Sequence, residues 1–426
     1  MKVSTDWMCS GLIGLSGVAE RRVQDVRIGS GVLSERHGVL PLDTPPPPTA
    51  RRADGYFSTE SCKQINFWHC HWYTVLLTRK GNKIMKARLF TGILLMICVA
   101  HLPAGAEQTI QPVNNKDYLP AVLKLIHSST NRLEFLALEY HYDPTIKQIQ
   151  QALAEAVQRG VTVRGLLENN IEFNAKSLPY LHDLGIAVEL DTKKKMLHSK
   201  LLVVDGKVVL LGSTNWTGNS IDNNNESNVL IYDPLIAEYF SRYADTLMKD
   251  SVEEPLLPAI QSGSIKTIIN RQYFDELLAL FQAAHKRIRI IMYGIKYYPE
   301  YPECKTNQLL DALIAAAKRG VDVEVLMDLS DYNHTLNEVN QGAKDYLQTH
   351  GVAVFDDSVT QTTHAKVVLV DDAVVIGSAN WGYDALERRN ETSVLINNPS
   401  TIQAFSDYYD QVKAGGLLSE ALPKHP

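Results

Sequence analysis

The sequence predicts an α/β protein made of two similar α/β/α sandwich halves with mixed sheets, related by a pseudo-twofold axis. Amphipathic stretches alternate with short β-branched runs, which is the pattern of strands covered by helices. The string His-x-Lys-x4-Asp occurs twice, as HSKLLVVD (198–205) and HAKVVLVD (364–371). The segments around both copies recur in the same order. A repeat of roughly 150 residues indicates a duplicated domain and not a solenoid.

Each half opens with an amphipathic helix followed by a strand. DYLPAVLKLIHS (117–128) precedes RLEFLALEY (132–140), and QYFDELLALFQAA (272–284) precedes RIRIIMYGI (287–295). A second helix in each half ends at Arg-Gly, a helix stop, and a β-branched run follows at once as a buried strand.

Strands make up most of the remainder of each half. LGIAVEL (184–190) and HGVAVFD (350–356) each add a strand, and the His-x-Lys strand follows. Another strand, the loop GSTNW or GSANW, and a closing strand complete the half. Segment 249–264, with two Pro, Gly and Ser, predicts a linker between a first half at 107–254 and a second at 255–426.

The chain before residue 107 has a different character. Residues 85–106 show a basic start, an apolar run and a small-residue tail, the pattern of a signal peptide cleaved after Ala106. We therefore expect Met85 to be the true start, residues 1–84 to be an upstream extension, and the protein to be exported to the periplasm or secreted. An uncleaved membrane anchor is the alternative, although the apolar run is short for a bilayer span.

Charge and cysteine content narrow the function classes. From residue 107 on, 29 Lys/Arg face 41 Asp/Glu, a net charge of −12. Nucleic-acid binders usually carry a basic face, so this balance argues mildly against them. Cys304 is the single cysteine of that part, which rules out an internal disulfide and a cysteine-based zinc site there.

The repeated string places side chains by strand parity. His198 and Lys200 point to the same face of a strand, whereas Asp205 points to the other and is expected to be structural. The same holds for the second copy. The second copy consists of His364, Lys366 and Asp371, and further polar residues recur after each string: Ser213, Asn215 and Glu226 in the first half, and Ser378, Asn380 and Glu391 in the second.

If the halves pack about a twofold axis, both sets converge on one pocket that suits a phosphodiester. Two Lys offset phosphate charge, while Asn215, Asn380 and the substrate-binding Ser213 and Ser378 donate hydrogen bonds. One His attacks phosphorus, and the other protonates the leaving oxygen. A carboxylate orients each His, and we expect Glu226 to serve His198. No metal or other cofactor is required.

The doubled HxKxxxxD followed by GSxN resembles the phospholipase D superfamily over roughly 107–415. The first half is most similar in motif to the nuclease and cardiolipin hydrolase-like branch, whose members carry one motif and dimerise. The resemblance implies the phospholipase D/nuclease fold, one complete site per chain without a required dimer, and His198 as nucleophile with His364 as acid. The symmetry of the residues alone does not choose between the two.

The sequence therefore predicts a metal-independent phosphodiesterase that hydrolyses phospholipid head groups through a phosphohistidine. A peripheral contact with a membrane is compatible with this prediction. An endonuclease and a phosphatidyl transferase acting on an alcohol stay open, and the intact second motif argues against a non-catalytic scaffold. Aromatic residues after the first strand of each half are expected to line the rim: Tyr140, His141, Tyr142, Tyr293, Tyr297 and Tyr298.

Overall fold

Two mixed sheets, one in each half, organise the computed structural model, which describes residues 109–192, 194–249 and 254–420, with side chains to residue 415. All of these residues belong to a single compact unit. The predicted upstream extension (1–84) and signal peptide (85–106) lie outside the described residues. Within the described ranges no helix is long and apolar enough to cross a bilayer.

The first sheet has seven strands among the described residues, in the order β1-β7-β6-β5-β2-β3-β4. β2, β3 and β4 are parallel and the remaining pairs are antiparallel. The strands are β1 (Thr109–Pro112), β2 (Arg132–Ala137), β3 (Thr162–Leu167), β4 (Ala187–Leu190), β5 (Lys200–Val204), β6 (Val208–Gly212) and β7 (Asn228–Tyr232). The helices are α1 (Tyr118–Ser128), α2 (Pro144–Gln158), α3 (Glu172–Asp183), α4 (Gly218–Asp222) and α5 (Pro234–Met248).

The second sheet repeats this order and adds one short edge strand, giving β12-β11-β10-β13-β14-β15-β9-β8. Its strands are β8 (Gln261–Ser262), β9 (Ile265–Ile269), β10 (Arg287–Met292), β11 (Asp322–Met327), β12 (Ala353–Asp356), β13 (Lys366–Val370), β14 (Ala373–Gly377) and β15 (Thr392–Ile396). Its helices are α6 (Gln272–Ala283), α7 (Lys305–Lys318), α8 (His334–Thr349), α9 (Tyr383–Glu387) and α10 (Pro399–Glu420). The predicted α/β class with two mixed-sheet halves is confirmed.

The sequence-based element order omitted α3 and α8, and predicted two consecutive strands where each half has strand, helix, strand. The helices were missed because they bury few apolar side chains. α3 contains Pro179, and its buried positions are Asn174, Ser177 and Leu181. The Asn174 side chain accepts from the backbone N–H of Tyr140 at 2.8 Å, so polar contacts fix the helix to the sheet.

Three apolar clusters hold the fold together. Two lie within single halves, and the third is shared, because α5 and α10 pack between the inner faces of both sheets. Phe240 from α5 and Phe405 from α10 are fully buried in this shared cluster. Burying such a ring contributes about 1.5–3 kcal/mol, so the two halves stabilise one another.

Candidate active site

Both His-x-Lys strings lie at one edge of the sheets, where the parallel strands end. Lys200 opens β5 opposite Ala137, the last residue of β2, and Lys366 opens β13 opposite Met292, the last residue of β10. We call this the site edge, the edge at which β2, β3, β10 and β11 end. Loops leaving parallel strands at their carboxyl ends are where α/β proteins bind ligands.

The two histidines are paired across the halves. The Nδ1–H of His198 donates to Oε2 of Glu391 at 2.9 Å, and His364 Nδ1 lies 3.1 and 3.0 Å from the two carboxylate oxygens of Glu226. The expectation that Glu226 serves His198 is therefore wrong: Glu391 does, and Glu226 serves His364. All four side chains are at least nine-tenths buried.

Interleaved backbone explains the exchange. The N–H of His198 donates to the carbonyl of Asn390 at 2.9 Å, which brings the residue before Glu391 beside the first string. In the same way, the N–H of Asn225 donates to the carbonyl of Thr362 at 2.8 Å. Each glutamate-bearing loop thus runs alongside the string of the other half, and its carboxylate reaches that half's histidine.

Burial and charge set the protonation of these pairs. Burial alone would raise the pKa of Glu226 and Glu391, but the facing histidine and nearby lysine lower each pKa to about 2. Burial lowers the pKa of His198 to about 3 and also lowers the pKa of His364, against the opposing effect of the glutamates. Since a carboxylate only accepts, each Nδ1 carries the hydrogen, and the lone pair of a neutral ring lies on Nε2.

The lysines are buried beside the histidines. Lys200 Nζ donates to the carbonyl of His198 at 2.7 Å, and Lys366 Nζ donates to the carbonyl of His364. Burial lowers the pKa of both amines to about 7, and the charges of both glutamates act on both lysines, so the residues form one site. With a pKa of about 7, each amine is only partly protonated at neutral pH. A bound anion would favour the protonated form of both lysines, so the pair suits an anionic ligand.

The serines lie behind the glutamates. We expected Ser213 and Ser378 to bind substrate, yet both are fully buried, and each hydroxyl donates to the glutamate of its own half. Each hydroxyl also accepts a backbone N–H, from Ser227 at 2.9 Å and from Thr392 at 3.1 Å. The hydroxyls are therefore committed to holding Glu226 and Glu391 in place.

The asparagines remain available to a ligand. Asn215 and Asn380 follow the two serines, and the Oδ1 atom of each is buried without a hydrogen-bond partner. A buried polar atom left unpaired costs free energy, and a bound ligand can supply the missing bond. An amide oxygen accepts and cannot donate to a phosphoryl oxygen, so the donor role predicted for Asn215 and Asn380 would use Nδ2 and stays a prediction.

The aspartates lie away from the histidines, in the turns that directly follow β5 and β13. Asp205 accepts the backbone N–H groups of Thr130, Asn131 and Arg132 at 2.8–2.9 Å, and Asp371 binds the corresponding turn of the second half. Both have positive φ, 53° and 47°. They fasten the turn after the His-x-Lys strand to the start of β2 and β10.

Two pairs of buried acids were missed from the sequence. The Glu168 side chain accepts the backbone N–H of Leu197, and Asp328 accepts that of Thr363 at 2.6 Å, so each acid holds the residue before a histidine. Glu168 lies near the buried Asp191, and Asp328 lies near the buried Asp357. Burial raises the pKa of Asp191 to about 6 and that of Asp357 to about 7. The signal was present, since both β3 and β11 are followed directly by an acid in the aligned repeats.

The two halves differ around the glutamates. Ser220 and Asn224 donate to Oε1 of Glu226, and the second half has Ala385 and Arg389 at the corresponding positions. Oε1 of Glu391 is accordingly buried without a partner. This asymmetry could have been found by aligning the two loops residue by residue.

Not every predicted rim residue reaches the rim. Tyr140 is fully buried against Trp216, with ring centroids 5.7 Å apart, because its ring packs into the core of the first half. Tyr293 does line the site. Its ring meets the His364 ring edge-on with ring centroids 4.8 Å apart, and Lys366 Nζ lies 5.1 Å from the centre of the Tyr293 ring. Tyr142 is exposed at the surface.

A metal centre is not evident in the part of the chain that the structure describes, where no three His, Cys, Asp or Glu side chains converge in a way that could hold an ion. The residues that do converge are two histidines, two lysines and two glutamates, already paired with one another. This set can supply a nucleophile, a general acid and fixed positive charge.

Comparison with known proteins points to one family. A family model described as "Cardiolipin synthase, PLD-like domain" matches residues 122–248 and 277–413, one match in each half. Cardiolipin synthase B of Escherichia coli strain K12 is 23% identical over 329 residues, which are 69% of this chain and 77% of the synthase. Mitochondrial cardiolipin hydrolase of Mus musculus is 31% identical over 146 residues, 33% of this chain and 63% of the hydrolase.

A solved structure shows the same fold. Phosphatidylserine synthase of Haemophilus influenzae Rd KW20 superposes with a TM-score of 0.58 at 13% identity, over 72% of this chain and 86% of the synthase. Both halves of this chain therefore have counterparts among known proteins.

Proposed function

The chain belongs to the phospholipase D superfamily, whose enzymes act on phosphodiesters, and we propose that it cleaves the head-group phosphodiester of phospholipids through a covalent phosphohistidine. The observation that carries the proposal is the crossed pairing of His198 with Glu391 and of His364 with Glu226. It brings two histidine–lysine sets into one buried site, as a two-step displacement at phosphorus needs.

In the first step, Nε2 of His198 attacks phosphorus, and the bond from phosphorus to the leaving oxygen breaks. His364, which starts this step protonated on both ring nitrogens, gives its Nε2 proton to that oxygen, so the head group departs with a neutral hydroxyl. Lys200 and Lys366 offset the negative charge that builds on the phosphoryl oxygens, and Asn215 and Asn380 donate to them. Glu391 holds the attacking ring in orientation and stabilises its positive charge.

In the second step, water attacks phosphorus and His364, now neutral, accepts a water proton. The phosphorus–nitrogen bond breaks and His198 regains its lone pair, which restores the starting state. His364 thus acts first as acid and then as base, while His198 acts only as nucleophile.

The asymmetry of the two loops supports this assignment of roles. A nucleophilic ring must be neutral, and burial together with Lys200 and Arg389 disfavours protonation of His198, whose pKa falls to about 3. The first half has the neutral Asn224 where the second has Arg389, and Asn224 donates to the glutamate that holds His364. Charge in the loops therefore favours a neutral His198.

Transfer to an alcohol is the second candidate, because the phosphohistidine can be attacked by an alcohol in place of water. Similarity to cardiolipin synthase B over 69% of this chain, against 33% for the hydrolase, favours it. Hydrolysis and transfer share the first step and differ only in the acceptor that enters the site.

One assay separates the candidates. The protein is incubated with phosphatidylcholine, phosphatidylglycerol or single-stranded DNA, with EDTA present, and the lipid products are resolved. Phosphatidic acid supports hydrolysis, cardiolipin formed from phosphatidylglycerol supports transfer, and cleavage of DNA alone would overturn the lipid proposal. As a check on the site, His198→Ala and His364→Ala should each abolish turnover.

A further inference from the structure

The surface around the site carries an unusual concentration of exposed aromatic side chains. Among the described residues, seven Tyr and Phe side chains are exposed. Six of them belong to segments that follow strands at the site edge: Tyr142, Phe173, Tyr180, Tyr301, Tyr332 and Tyr383. We call these six the aromatic rim. The seventh, Tyr232, ends β7 at the opposite edge.

Strand direction places the rim at the site. Tyr142 lies on the loop that leaves β2, Tyr301 on the loop that leaves β10, and Tyr332 on the loop that leaves β11. Phe173 begins α3 immediately after the β3 loop, and Tyr180 joins it through a stack on Tyr142 with ring centroids 4.5 Å apart. Both halves contribute, so the rim residues lie on segments that leave the same ends of the strands as the crossed pairs.

The rim is amphipathic rather than basic. Lys147 Nζ lies 4.6 Å from the centre of the Tyr142 ring, and Lys176 Nζ lies 5.6 Å from that of Phe173. Lys176 also pairs with Glu172 at 2.7 Å, so acids share the surface with these cations. Tyrosine rings flanked by lysines suit the boundary between lipid head groups and acyl chains, whereas a nucleic acid needs an excess of positive charge.

The depth of the site supplies the reason for such a rim. His198 is 4% exposed and His364 is 8% exposed. A phospholipid that stays in its bilayer can bring its phosphodiester to His198 and His364 only if the protein surface around the site contacts the lipid head groups.

We propose that the aromatic rim docks this chain on a lipid surface by inserting tyrosine and phenylalanine rings among the head groups, with little dependence on anionic lipid. The proposal rests on the proposed function, since it takes a phospholipid as the substrate. It adds that the lipid is met at a bilayer surface and names the residues that meet it.

The test compares a rim variant with a matched control. Tyr142→Ser, Phe173→Ser and Tyr301→Ser are combined, since none of these side chains contacts the histidines, lysines or glutamates of the site. Tyr232→Ser, which removes an exposed tyrosine at the opposite edge, is the control. Sedimentation with phosphatidylcholine vesicles, and with vesicles that also contain anionic phosphatidylglycerol, is measured at about 0.1 M and about 0.5 M salt, a range over which surface electrostatics are screened.

The wild-type chain and the control should sediment with the vesicles at both salt concentrations, and the triple variant should bind at least about tenfold more weakly. Turnover of vesicle lipid should fall in parallel, while turnover of a short-chain phosphatidylcholine, dispersed as monomers, should stay within about twofold of wild type.

Three results would overturn the proposal: equal vesicle binding by the triple variant and the wild type, an equal loss in the Tyr232→Ser control, or binding only to anionic vesicles that vanishes at the higher salt. A different result would affect the proposed function alone. If the wild type binds vesicles through the rim but turns over neither vesicle nor monomeric lipid, the docking surface stands and the lipid reaction does not.

Discussion

Exchanging Glu391 for Gln removes the carboxylate that holds the ring of His198 from the other half of the chain. The crossed pairing makes a specific prediction about which residues are energetically coupled. Glu391 should couple to His198, 193 positions away, and not to His364, which lies in its own half. Double-mutant cycles with Glu391→Gln, His198→Asn and His364→Asn measure both couplings.

The contact sets the expected magnitude. A buried hydrogen bond to a charged group contributes about 1.5–3 kcal/mol, and the 2.9 Å contact from His198 to Glu391 is of this kind. The Glu391–His198 cycle should therefore give a coupling of about 1.5–3 kcal/mol in the free energy of unfolding. Glu391 and His364 share no hydrogen bond among the contacts of the site and interact only through the charges of the shared lysines, so their cycle should give a smaller coupling than the Glu391–His198 cycle.

Urea unfolding of the wild type, the three single variants and the two doubles gives the required free energies by linear extrapolation. Equal slopes across the set show that the variants unfold from comparable folded states. A larger coupling for Glu391 with His364 than with His198 would refute the crossed arrangement. It would place each glutamate on the histidine of its own half, as the sequence suggested.

Further predictions concern pH, stability and metal. Burial lowers the pKa of His364, the acid of the first step, and lowers those of Lys200 and Lys366 to about 7, so kcat/KM should fall as the pH rises and these groups lose their protons; arginine at both lysine positions should remove only the lysine part of the fall. Asp205→Ala should lower the free energy of unfolding by about 1–3 kcal/mol in urea melts, with kcat within about threefold, since its carboxylate holds only backbone and Thr130. Gly212→Ala should cost more than about 2 kcal/mol in the same melts, because a Cβ would lie 2.2 Å from the carbonyl oxygen of Ser227. Turnover should be unchanged after dialysis against EDTA, because the proposed steps use only side chains. A metal-restored activity would contradict that mechanism.

The repeat predicted which residues meet, since matching strings in matching surroundings imply matching places in two copies of one fold. Asp205 was predicted to lie away from His198 by strand parity; the structure separates them by the length of β5, because Asp205 lies in the turn after that strand. The partner of His198 was beyond reach of this reasoning. That contact depends on the loop before Glu391 running beside His198, a pairing between distant segments that no local pattern records. The contact of the Ser213 hydroxyl with Glu226 was beyond reach for a similar reason, because the residues that surround a side chain in the fold are not recorded in its local sequence.

The crossed pairs also bear on how the enzyme comes into being. During synthesis the first half leaves the ribosome before the second exists, and it carries His198 without Glu391 and Glu226 without His364. Folded alone, it has a histidine with nothing to orient its ring and a buried acid with no ring to hold. Both histidines acquire their partners in the same event, when the second half closes onto the first. On the proposed mechanism, a single chain therefore has a complete site only after its second half has been made.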